Sequence, residues 1–125
     1  MNQKSPPRVL VVEDDVHIQN GVKKVFEENG FEVVGSNEGM EGIVRTVEAH
    51  PDVVVLDLMM PIKDGFAVLA KRETTKNAAT PVYVLTTLGE EKCELARELG
   101  AKKTYIKSQM SATQVIEDIR KDMGL

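Results

Sequence analysis

One cysteine, Cys93, stands among the 125 residues. A lone thiol cannot build an internal disulfide framework, and it fits a reducing cytosol. No apolar run approaches the roughly 20 residues of a membrane span. The opening MNQKSPPR is polar and has no signal-type apolar segment. A cytoplasmic location without membrane contact is therefore expected. Cations are scarce: 16 Lys and Arg face 20 Asp and Glu, a formal net charge of −4. A nucleic-acid surface needs clustered Lys and Arg, so nucleic acid is not an expected partner. Internal repeats, low-complexity tracts, linkers and a basic recognition helix are all missing from the sequence.

What is present is an ordinary globular balance, with 42% hydrophobic and 29% charged residues. The length suits one domain over residues 1–125 with a single core and no output domain. Residues 1–7, ending in SPP, read as a short flexible lead-in. After it, RVLVV (8–12) reads as a strand. A helix over about 15–29 follows, with Val16, Ile18, Val22, Val25 and Phe26 as its apolar stripe and Gly30 as its stop. FEVVGS (31–36) is a second strand, and a helix over about 38–49 ends before Pro51. Residues 52–57 form a third strand, and Asp64 opens a helix to about 74. PVYVLTT (81–87) is a fourth strand, 90–99 a helix stopped at Gly100, and KTYIK (103–107) a fifth strand. Ser111 to Gln114 reads as a capping box flanked by a Met110–Val115 staple. The helix behind it carries Ala112, Val115, Ile116, Ile119 and Met123 on one face.

Strand and helix thus alternate five times, which predicts an α/β domain with a five-stranded parallel sheet and right-handed crossovers. Three strands (8–12, 52–57 and 81–86) are apolar nearly throughout, so they belong in the centre, covered on both faces. In such sheets ligands bind beyond the carboxyl ends of the strands. At those ends stand Glu13 and Asp14, Asp57, Thr86 and Thr87, and Lys107. If the first and third strands are neighbours, three carboxylates share one crevice. Like charges at that range raise each other's pKa values or recruit a cation. Few hard oxygen ligands with room for water suit Mg²⁺. A carboxylate beside Mg²⁺, a hydroxyl and a lysine can accept a phosphoryl group as an aspartyl-phosphate.

The stretches VLVVEDD (9–15), VVVLDLMMPIKDG (53–65), PVYVLTT (81–87) and GAKKTYIKS (100–108) together resemble a response-regulator receiver domain of the single-domain chemotaxis type. The resemblance covers nearly the whole chain. It implies a doubly wound, flavodoxin-like (βα)5 fold with strand order 2-1-3-4-5. It implies Asp57 as phosphoacceptor, with Thr86 and Lys107 beside it. Mg²⁺ would be held by Asp14, Asp57, the Met59 carbonyl and, through water, Glu13. A histidine kinase or phosphotransfer protein would be the donor. A protein target would read the surface of the fourth helix, fifth strand and fifth helix of a monomeric switch. Such a domain phosphorylates and dephosphorylates itself and is not a turnover enzyme.

Three departures qualify the resemblance. Ser108 follows Lys107 where the family usually has proline after a cis bond, so a trans bond is expected here. Thr104 stands where the family places its aromatic switch residue. Tyr105, the nearest ring, should point to the opposite sheet face, which puts coupling to Thr86 in doubt. Met59 and Leu88 occupy the two rate-tuning positions and are both apolar, which predicts slow autodephosphorylation.

Blander and rival readings stand beside these. Asp15 suits a helix start, His17 and His50 the surface, Cys93 a packing position, Lys107 taken alone a solvated strand end, and Lys102-Lys103 a solvated pair bordering the expected output face. The departures at Thr104 and Ser108 favour a phosphorylation-independent binding scaffold as the alternative function. A phosphatase of the haloacid-dehalogenase type would need an acid where Met59 stands, and a flavin module would need a phosphate loop where Glu13-Asp14-Asp15 stands.

Overall fold

The computed structural model describes residues 6–36, 51–57 and 80–125. The elements are β1 (Arg8–Val12), α1 (Val16–Glu28), β2 (Glu32–Ser36), β3 (Val53–Leu56), β4 (Val82–Thr86), α2 (Glu90–Glu98), β5 (Lys103–Ile106) and α3 (Ala112–Asp122). The helices expected over 38–49 and 64–74 lie outside the described residues, as do residues 1–5 of the lead-in. Pro7 is already tied to the sheet, its carbonyl accepting from the Glu32 N–H at 2.9 Å.

All strand pairs are parallel and the order is β2-β1-β3-β4-β5, as expected. The three apolar strands β1, β3 and β4 are central. Their alternate side chains feed two cores. Val9, Val11, Val53, Val55, Tyr83 and Leu85 pack with α1 and α3 on one face. Leu10, Val12, Val54, Leu56, Val82 and Val84 pack with Ala96 of α2 on the other. Cys93 is fully buried on α2 beside Ala96, which matches a packing role: two small side chains bring that helix close to the sheet.

Local signals set the helix ends. Asp15 caps α1 by accepting from the N–H groups of His17 and Ile18. Ser111 and Gln114 form the expected capping box on α3, with Met110 packed against the Val115 core. Gly30 and Gly100 follow α1 and α2 at φ 86° and 114°, the left-handed region that ends a helix cheaply only at glycine.

The stripe expected on α1 needs correction. Val16 and Ile18 are exposed, at 52% and 39%, and Gln19 joins Val22 and Phe26 as the buried set. The first turn of α1 begins beyond the carboxyl end of β1, so Val16 overhangs the sheet. Ile18 sits about 100° around the helix from Gln19 and misses the core.

The Lys102-Lys103 pair is solvated, as expected, and is also ion-paired. Tyr105 donates to Asp118 at 2.5 Å and Tyr83 to Asp122 at 2.6 Å. Lys103 reaches Asp118 at 3.0 Å and Lys102 reaches Asp122 at 3.1 Å. The tyrosine hydroxyls first, and the lysines second, hold both carboxyls below their usual range. A lowered folded pKa adds stability above the ordinary carboxylate value, and that stability is lost as pH falls through the lowered one. A chain with Asp118→Asn and Asp122→Asn should therefore unfold at lower urea than the parent at pH 7. The gap should close as pH falls below the ordinary carboxylate range. A gap that stays constant across that range in urea titrations would show that these carboxylates do not carry it.

Candidate phosphoacceptor site

The register builds the site. Val12 pairs with Leu56, so Glu13 and Asp57 emerge side by side from neighbouring strands. Thr86 pairs with Ile106, so Lys107 follows at the end of the next strand but one from Asp57. Two backbone bonds lock these ends: Asp57 N–H to the Val12 carbonyl at 3.0 Å, and Lys107 N–H to the Thr86 carbonyl at 2.8 Å. With a side-chain period of two, Glu13, Asp57 and Lys107 share the sheet face that carries α1 and α3.

The Lys107 ammonium lies 2.8 Å from Glu13 Oε1 and 3.7 Å from Asp57 Oδ2. Carboxylate oxygens of Glu13, Asp14 and Asp57 all lie within 4.8 Å of one another. Glu13 and Asp57 are buried, Asp14 is half-buried, and Thr86 has no exposed surface. Burial pushes the Glu13 carboxyl up to about 7. The Lys107 bond opposes that rise, the Asp57 charge adds to it, and the Asp15 N–H opposes it again. Among the described residues, three carboxylates thus meet one ammonium. The donor set is hard oxygen with charge to spare, which fits a magnesium ion.

Thr86 accepts from the Leu88 N–H at 3.2 Å, and its own hydroxyl proton remains a donor. Leu88 is half-buried against the α2-side core, while Thr87 is exposed. Met59 lies outside the described residues. Thr104 and Tyr105 are not brought to Thr86 as a pair. Tyr105 is buried on the α1 and α3 face, stacked near Tyr83 with centroids 6.5 Å apart. Thr104 turns the other way and accepts from Arg97 of α2. No cis bond occurs among the described residues, so Lys107–Ser108 is trans as expected.

Clustered acids and a lysine at the switch point of a 2-1-3-4-5 sheet match one family over most of the chain. The response regulator receiver domain covers residues 9–120. The chain belongs to that family. The transcriptional regulatory protein ResD of Bacillus subtilis is 31% identical over 116 residues, 93% of this chain and 48% of that protein. The receiver domain of the Francisella response regulator 1452 is 31% identical, with a TM-score of 0.84 over 92% of this chain and 94% of that one. The Vibrio cholerae chemotaxis protein CheY4 is 25% identical, with a TM-score of 0.83 over 93% and 98%. This receiver spans about a third to a half of the curated relatives ResD, RpaA and a Myxococcus xanthus methylesterase. It is a receiver domain of two-component signalling, with the acidic pocket in which receivers bind Mg²⁺. No helix among the described residues is long and apolar enough to cross a membrane.

One residue of this receiver escaped the sequence reading. Gln19, nearly buried on α1, donates from Nε2 to the Glu13 carbonyl at 3.1 Å. Its signal was a polar residue three before Val22 and seven before Phe26, on the apolar face.

Proposed function

We propose that this receiver is a phosphoacceptor switch in which Asp57 takes a phosphoryl group from a histidine kinase, a phosphotransfer protein or a small phosphodonor. The observation that carries the reading is the Lys107 ammonium set 2.8 and 3.7 Å from two buried carboxylates of a three-acid cluster. An Asp57 carboxylate oxygen forms the new bond to phosphorus. The bond from phosphorus to the donor breaks, and its electron pair leaves with the donor, as the imidazole of a phosphohistidine, which gains a proton, or as the carboxylate of an acyl phosphate. Asp14, Asp57 and the Met59 carbonyl would hold Mg²⁺, with Glu13 acting through water. The ion supplies charge neutralisation on the phosphoryl oxygens when bound. Lys107 neutralises another oxygen, and the Thr86 hydroxyl donates to a third. The domain undergoes its own phosphorylation and dephosphorylation and turns over no substrate.

The output follows from charge. A phosphoryl group on Asp57 competes with Glu13 for Lys107, which directly follows β5. That shift biases the surface of α2, β5 and α3 toward a protein target. The reading places the switch in the cytoplasm as a monomer. Incubation with acetyl phosphate, with and without Mg²⁺, followed by intact mass, tests it. One added phosphate that requires Mg²⁺ is expected.

Slow autodephosphorylation is part of the proposal. Leu88 is apolar and half-buried beside Thr86, and neither it nor Met59 can orient an attacking water. Met59→Asn combined with Leu88→Glu should shorten the adduct lifetime about ten-fold or more. Unchanged decay of the phosphorylated mass would remove this part of the proposal.

A second reading, a phosphorylation-independent binding scaffold, draws support from Tyr105, which faces away from Thr86 and is held by Asp118. Failure to form the adduct, together with no response of the Tyr83 and Tyr105 resonances to beryllofluoride, would favour it.

A further inference from the structure

We propose that Gln19 is a positioning residue for the acidic turn, and that Gly35 is there to make room for it. The inference rests on the Mg²⁺-binding reading above. β1 ends its pairing at Val12, against Ser36 on one side and Leu56 on the other. The Glu13 carbonyl therefore lies just past the ladder, in a nearly buried place where an acceptor needs a donor. Gln19 Nε2 is that donor, at 3.1 Å. At the far end of the turn, Asp15 is fixed as the cap of α1, and its N–H donates to Glu13 Oε2 at 3.3 Å. Gln19 thus sets the plane of the Glu13–Asp14 peptide, and through it the place of the Asp14 carboxylate relative to Asp57.

The bond to the carbonyl also orients the amide: nitrogen to Glu13, oxygen toward β2. There a Cβ on Gly35 would stand 2.7 Å from Gln19 Oε1 and 3.1 Å from its Cδ. Gly35 has no positive φ. Space beside the Gln19 amide, not backbone conformation, is what a side chain at 35 would contest. A Cβ there would press on the end of the Gln19 side chain, and the amide would have to shift from its place on the Glu13 carbonyl.

The test is Mg²⁺ titration of the full chain, read from the amide resonances of Asp14 and Asp57 at a temperature where every variant is folded. Gln19→Met keeps the bulk and removes the donor, and should weaken Mg²⁺ binding about ten-fold. Gly35→Ala should weaken it to a similar degree. The double variant should be no weaker than the worse single one, because both remove the same hydrogen bond. Val115→Ala, a buried core truncation, should lower the melting midpoint and leave Mg²⁺ affinity unchanged. Parent-like affinity in Gln19→Met overturns the inference and leaves the Mg²⁺ reading standing. A parent chain that binds no Mg²⁺ overturns both. If Gln19→Met does not fold, parent-like affinity in Gly35→Ala overturns the inference in the same way.

Discussion

Asp57→Asn is expected to abolish the Mg²⁺-dependent phosphate adduct formed with acetyl phosphate. The amide has the size of the carboxylate but no anionic oxygen to attack phosphorus. The loss should be complete on the mass-spectrometric scale, because neither other carboxylate of the cluster stands at the end of β3. Asp14 is half-buried, and Glu13 is engaged by Lys107 at 2.8 Å. The substitution should not unfold the domain. It takes one negative charge out of a buried cluster and removes a contribution that raises the Glu13 carboxyl. The melting midpoint should therefore hold or rise while the adduct disappears. An adduct of equal yield in the variant would mean that phosphate goes elsewhere and that Asp57 is not the acceptor.

Lys107→Met should slow adduct formation by about 10²–10³-fold at saturating Mg²⁺, the scale seen when one preorganised charge donor is removed from a transfer site. The lysine is 19% exposed at its side chain and touches two carboxylates that are 6% and 8% exposed, so solvent screens it little. Its removal leaves those carboxylates with their repulsion and without their ammonium. Stability should fall by about 2 kcal/mol in the metal-free chain. Lys107→Arg should not restore the rate, since a planar fork cannot take the place of a compact ammonium between two oxygens at 2.8 and 3.7 Å. Stopped-time mass measurements give the rate and urea titrations give the stability. A rate within two-fold of the parent would remove Lys107 from the chemistry and leave it a structural ion pair.

Much of this was legible because the signals are local. Unbroken apolar runs identified β1, β3 and β4 as central strands, and period-two alternation correctly sent Tyr105 away from Thr86. Capping chemistry located the starts of α1 and α3 at Asp15 and Ser111, and Gly30 and Gly100 marked two helix ends. The acids and the lysine were found by a simple rule: they stand where parallel strands stop. The errors had a common cause. Val16 and Ile18 fit a helical period, but where α1 begins relative to the sheet edge decides whether they meet a core. Lys102 and Lys103 are solvated as expected, but distance along the chain hid their ion-pair partners Asp118 and Asp122, 15 to 20 residues away on α3.

The sequence by itself determined the strand and helix pattern, the helix caps and the acids, hydroxyl and lysine that stand at the strand ends, because each depends on a residue's own chemistry and its nearest neighbours. Only the tertiary structure decided that Lys107 reaches Glu13 across 94 positions of chain. It alone decided that Gln19 is buried on the core face of α1, with its amide on the Glu13 carbonyl and beside Gly35. Those outcomes depend on strand register and helix placement, which the packing of the whole domain sets.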